Sequence, residues 1–258
     1  MKLNLHEVEW DEKKITAFWN NLDTLIETGK RDSHSFALYG GGDDLLKLIS
    51  KSINLRDLVV LDYGCGMGAL TVKMAKAYNC KELWGCDLSD EAIRICADNC
   101  KEYDNFKGVF KVGNGATSNL KEHYFDVIIV PEVIEHMDDK AIDEMLDTIK
   151  FIAKPKATVV FSTQNRENLK DSIMLCPDCG CYFHKVQHVR AWSKESIVSF
   201  FQLRNIKVKK VYELNLIRSE WKRIKKICYR VYNSLFPLIK MMHKGKAYNL
   251  VVVCEITK

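Results

Sequence analysis

The chain has four prolines and thirteen glycines in 258 residues, and only Gly40-Gly41-Gly42 forms a run of either. That scarcity excludes collagen-like, linker-rich and disordered architectures. No apolar stretch continues far without a charge, so no segment is expected to span a bilayer. The opening residues, MKLNLHEVEWDEKK, lack the uninterrupted apolar core of a secretory signal, and there is no repeat or low-complexity tract. A cytosolic protein with a sizeable buried core is expected.

Cysteine and local positive charge are in surplus. Seven of the ten cysteines (Cys65, Cys80, Cys86, Cys96, Cys100, Cys228 and Cys254) stand singly in mostly apolar surroundings, as buried thiols do. Cys176, Cys179 and Cys181 instead cluster. The net charge of +5 is concentrated: residues 218–246 hold nine Lys or Arg against one acid, and elsewhere acids slightly outnumber bases.

Hydrophobic periodicity sets the fold class. Residues 1–50 read as helical, broken at the glycine run, after which short apolar runs alternate with amphipathic helices. The runs are 58–61, 83–86, 109–112, 127–130, 158–161, 208–212 and 250–256, and Ser89 and Ser193 are expected helix caps. This alternation predicts an α/β fold with a seven-stranded, mainly parallel, Rossmann-like sheet and helices on both faces. One domain is expected over 1–258, with a helical cap (1–50), a cysteine-containing insertion (168–192) and a basic helical insertion (214–247). Ligands of such sheets bind beyond the strands' carboxyl ends.

The first run leads into LDYGCGMG, residues 61–68, and the second ends at Asp87. Gly64, Gly66 and Gly68 allow a sharp turn and close backbone approach, while Asp87 is placed to accept hydrogen bonds from a ribose diol. Glycine spacing alone also suits a nicotinamide dinucleotide. Asp62 shifts the balance, because a carboxylate at the strand end would repel a pyrophosphate and attract an ammonium group.

With GCDLS, GNGA and FDVIIVPEVIEH following in order, the chain resembles the class I S-adenosylmethionine-dependent methyltransferases over most of its length. That resemblance implies S-adenosylmethionine as cofactor. Asp62, Gly64, Cys65, Gly66 and Gly68 would surround its methionine part, Asp87 its ribose, and Leu88, Asn114 and Gly115 its adenine. Asn114 stands where the family often has an acid, and its amide oxygen is still an acceptor.

Glu132, Glu135 and His136 follow the fourth run at i, i+3, i+4, the spacing of one helical face. His136 is the candidate general base. This stretch is similar to ubiquinone-pathway O-methyltransferases and small-RNA 3′-terminal 2′-O-methyltransferases, which imply a divalent metal on Glu132, Glu135, His136 and His188. Packing or substrate orientation without metal is the alternative. Cys176, Cys179 and Cys181, with His184 or His188, read as half a zinc ribbon, against free thiols.

Bases bordering an apolar stripe within 218–246 suit contact with the inner face of a membrane, a substrate lid, a phosphate-binding surface, or plain core packing. The expected activity is O-methylation of a glycan or lipid-linked small molecule. An RNA ribose 2′-O-methyltransferase and a non-catalytic cofactor-binding module are the alternatives.

Overall fold

A computed structural model describes residues 3–32, 41–113, 121–216 and 247–256. Its strands are β1 (His6–Glu7), β2 (Val59–Tyr63), β3 (Glu82–Asp87), β4 (Phe106–Lys111), β5 (Phe125–Pro131), β6 (Ala153–Gln164), β7 (Ile173–Leu175), β8 (Cys181–His184), β9 (Lys207–Leu214) and β10 (Asn249–Glu255). The helices are α1 (Glu12–Glu27), α2 (Gly41–Ser50), α3 (Ala69–Ala77), α4 (Asp90–Cys100), α5 (Asp139–Ile152) and α6 (Lys194–Leu203).

Seven strands form one sheet in the order β4-β3-β2-β5-β6-β10-β9. All pairings are parallel except those of β10, which runs antiparallel to both β6 and β9. Alternation along the strands feeds two cores. Leu61, Ile128 and Val130 pack with Ile142, Met145, Leu146 and Ile149 of α5, whereas Val60, Val127 and Ile129 pack with Leu45 and Leu46 of α2 and Leu70 and Met74 of α3. A sheet covered on both faces needs apolar residues at successive positions, which is why β2 is buried throughout.

Both expected caps form: the Ser89 hydroxyl accepts from Ala92 N at 3.1 Å, and the Ser193 hydroxyl from Ser196 N at 3.1 Å. From β2 the chain passes outward to β3 and β4, then crosses back to place β5 on β2's other side. The carboxyl ends of β2 and β5 therefore flank a topological switch point.

Three features differ from expectation. Residues 6–7 of the supposed helical cap are a strand, and α2 begins within the glycine run, at Gly41. The cysteine-containing insertion makes a small second sheet, β1-β8-β7, whose β7 residues are all exposed. Asn114, Gly115 and 217–246, nearly all of the expected basic insertion, lie outside the described residues. No described helix is long and apolar enough to cross a membrane.

Candidate active site

The loop after β2 is held from beneath. Gly64 N and Cys65 N both donate to Cys86 O, at 2.8 and 3.0 Å, pinning the loop to the end of β3. Gly66 N donates to Asp87 Oδ2 at 2.8 Å, and Ser89 N to Asp87 Oδ1 at 2.9 Å. Asp87 is thereby fixed between the loop and the start of α4, and burial raises its carboxyl above the ordinary range. A Cβ on Gly66 would meet no protein atom within 4 Å, so the space above that residue is open. On Gly68, at φ +86°, a Cβ would lie 2.8 Å from Cys96 Sγ, so this glycine serves packing against α4 and does not line the cleft. The Cys65 side chain also packs inward, with Cys96 and Cys100.

Asp62 is fully buried. Its Oδ2 accepts from Thr71 Oγ1 at 2.7 Å, while its Oδ1 has no partner, and burial pushes its pKa up to about 7. An unpartnered buried carboxylate oxygen is costly unless a cation meets it. Asp62, Gly66, Asp87 and Leu88 open onto a cleft of about 1900 Å³, roofed in part by Trp19 and Asp23 of α1. The methionine ammonium and ribose of S-adenosylmethionine fit these residues: Asp62 supplies the orphaned acceptor and Gly66 the open backbone.

The same cleft is lined by the acid–imidazole group. Glu132 takes φ +52°, outside the 3₁₀ turn Ile134–His136, so it does not share a helical face with the other two. Its carboxylate accepts from Ser162 Oγ at 2.9 Å. Glu135 is buried: Oε2 accepts from Thr163 Oγ1 at 3.0 Å and Oε1 has no partner. Burial, and then the charge of Glu132, raises its carboxyl well above the ordinary range.

His136 Nδ1 is likewise sealed and unpartnered. Burial first, then the neighbouring His188 ring, pushes its pKa down to about 3, so His136 is neutral and too weakly basic to be the near-neutral general base expected of it. Its ring lies 4.7 Å from that of His188, whose Nδ1 is 2.5 Å from Glu167 Oε2. Glu167 thus orients His188 and leaves Nε2 available.

Ligand atoms of Glu135, His136 and His188 lie within 4.8 Å of one another. Glu132, expected among them, is not in that group. His184, expected near the cysteines, stacks on His188 at 4.6 Å and accepts from His188 N through Nδ1 at 3.1 Å. Cys176, Cys179 and Cys181 gather without it. Sequence reading missed Glu167, although it lies three residues past the end of β6, where such sheets place ligand contacts. It also missed Gln187, which accepts from Trp19 Nε1 at 3.1 Å and donates to His136 O at 2.9 Å.

Residues 34–211 match the family model described as a methyltransferase domain. A ubiquinone biosynthesis O-methyltransferase of Methylococcus capsulatus is 31% identical over 121 residues, 47% of this chain and 49% of that protein. Norajmaline N-methyltransferase of Rauvolfia serpentina is 32% identical over 117 residues, 44% of this chain and 38% of that protein. The chain therefore spans about half the length, or less, of these curated relatives. A SAM-dependent methyltransferase from Aquifex aeolicus shares the fold, with a TM-score of 0.57 at 15% identity over 96% of this chain and 100% of that one. A glycine loop pinned beside two acids at the switch point, in a chain most of which matches this model, makes the protein a member of the methyltransferase-domain family.

Proposed function

We propose that this chain uses S-adenosylmethionine to methylate a hydroxyl oxygen of a small acceptor, a glycan or lipid-linked molecule. The two curated relatives described above include one O- and one N-methyltransferase, so they do not choose the atom. The observation that carries the reading is the pair of sealed, unpartnered atoms, Glu135 Oε1 and His136 Nδ1, on residues that line the same cleft as Asp62 and Gly66. A hydroxyl can donate to one of these atoms and accept from the other.

The sulfonium supplies a methyl carbon already activated for in-line attack. The chain's task is to align the acceptor oxygen, exclude water and receive the proton. Glu135, His136 and His188 also fit a divalent cation, since a ligand atom from each lies within 4.8 Å of the others and Glu167 backs the His188 ring. Such an ion would lower the pKa of a bound acceptor hydroxyl; without it, His188 Nε2, oriented by Glu167 through Nδ1, is the group placed to take the proton, because His136 is too weak a base.

The test is methyl transfer to free and polyprenyl-linked sugars and to phenols, with products located by mass spectrometry. A methyl ether is expected, lost in His136→Ala while calorimetry shows S-adenosylmethionine still bound. Methyl on nitrogen or carbon, or on RNA ribose alone, would overturn the acceptor class. No uptake of the methyl donor, with a nicotinamide nucleotide bound instead, would overturn the whole reading.

A further inference from the structure

The described cysteines fall into two kinds of surroundings. Cys65, Cys96 and Cys100 are buried among Val72, Tyr103, Phe106 and Val109. Cys176, Cys179 and Cys181 sit at the surface, unbridged, on the turn between β7 and β8, with all three sulfurs within 4.8 Å of one another. Thiols open or half-open to solvent gain nothing from such crowding in the absence of something to hold.

The turn is built backbone first. Cys176 N donates to Cys181 O at 2.8 Å, and Gly180 N to Cys176 O at 3.0 Å, closing a tight loop that aims the sulfurs inward. The backbone N–H of Cys181 also hydrogen-bonds to the Cys179 sulfur. Sulfurs bound to one zinc ion at about 2.3 Å stand about 3.8 Å apart, within the observed spread.

The other edge of the small sheet brings a histidine beside this turn, although the three-sulfur group itself does not include it. β1 lies parallel on β8 with His6 in register with Cys181, and partners in register present their side chains to the same face. His6 Nδ1 is 3.1 Å from Asn4 O, which it reaches as a donor, leaving the Nε2 lone pair free. The two segments touch closely: His6 N donates to Gly180 O, and a Cβ on Gly180 would meet Asn4 O at 2.6 Å.

We infer that Cys176, Cys179, Cys181 and His6 form a structural zinc site that fastens the amino-terminal strand to the insertion. The site is closed to catalysis because all four positions are protein ligands. Its effect is on the cleft walls: β1 runs into α1, which carries Trp19 and Asp23, and β8 runs into His184 and His188. The inference is independent of which acceptor is methylated.

The experiment is metal analysis of the full chain purified without chelator, followed by cobalt replacement. About one zinc per chain is expected, with tetrahedral cobalt bands and thiolate charge transfer after exchange. Cys176→Ser with Cys179→Ser should lose the zinc and the charge transfer. His6→Ala should keep the charge transfer, shift the tetrahedral bands and release metal to a chelator at least about 10-fold faster, by comparison with supporting residues of other sites. Zinc-free protein with three titratable thiols or a disulfide would overturn the site. So would zinc retained in the double cysteine variant, which would place it at Glu135, His136 and His188 or at Glu167, His184 and His188. A cobalt spectrum unchanged by His6→Ala would overturn the four-ligand assignment.

Discussion

Gly66 and Gly68 stand two residues apart, yet a methyl group added to each would be felt in different places. On Gly66 it would enter the open cleft; on Gly68 it would strike Cys96. Gly68→Ala should destabilise the fold by about 2–4 kcal/mol in urea titration, combining left-handed strain with overpacking. Gly66→Ala should cost only about 1–2 kcal/mol of stability while weakening the methyl donor's binding in calorimetry far more than Gly68→Ala does. Equal effects on affinity would show that the cleft is not where this ligand sits.

Asp62 links the same cleft to pH. With its carboxyl raised to about 7 by burial, the folded chain holds that proton more tightly than the unfolded chain does. The group's contribution to stability is therefore largest at low pH and declines between about pH 4 and 7. A bound cation favours the ionised form, so affinity for S-adenosylmethionine should rise from about pH 6 to 8, with proton release seen as buffer-dependent heat. Asp62→Asn should remove that pH dependence and weaken binding about 10-fold, the scale of one charged hydrogen bond.

At the level of elements, Ser89 does two jobs. It caps α4 through Ala92 N, and its hydroxyl lies 2.8 Å from both Asn20 Oδ1 and Asp23 Oδ2 of α1. Ser89→Ala should cost about 1–2 kcal/mol and speed amide exchange throughout 12–27, where a cap acting alone would affect only α4.

The seven strands of the main sheet were legible because burial demands apolar runs, and their caps and glycine loop because those signals are local in the chain. β1, β7 and β8 were not, since short strands with exposed residues are held by backbone pairing that leaves no hydrophobic pattern. The acid–imidazole group was read only in part. The i, i+3, i+4 rule assumes helical backbone from Glu132 onward, and its φ of +52° breaks that assumption. His184 misled for a similar reason: three positions beyond Cys181 on β8, it faces the opposite side of the strand. The pairing of Glu167 with His188 spans 21 residues, and no spacing rule reaches it.

Across the whole molecule, three separate segments meet at one side chain. Gln187 joins Trp19 of α1 to the backbone of His136, while Phe183 packs against Trp10 and Phe18. The cap, the insertion and the turn after β5 are therefore one wall. Gln187→Ala should lower kcat about 10- to 100-fold by loosening the position of His136, with the affinity for S-adenosylmethionine nearly unchanged. A loss confined to KM would point to substrate binding in place of positioning.

The order of strands also bears on how this chain emerges during synthesis. β9 hydrogen-bonds only to β10 among the described strands, and β10 begins 35 residues after β9 ends. Until that later strand arrives, the growing polypeptide leaves β6 with a bare hydrogen-bonding edge and β9 with nothing to join. Nascent chains stalled in between should bind chaperones that recognise exposed strand edges, and release them when β10 slots into the gap.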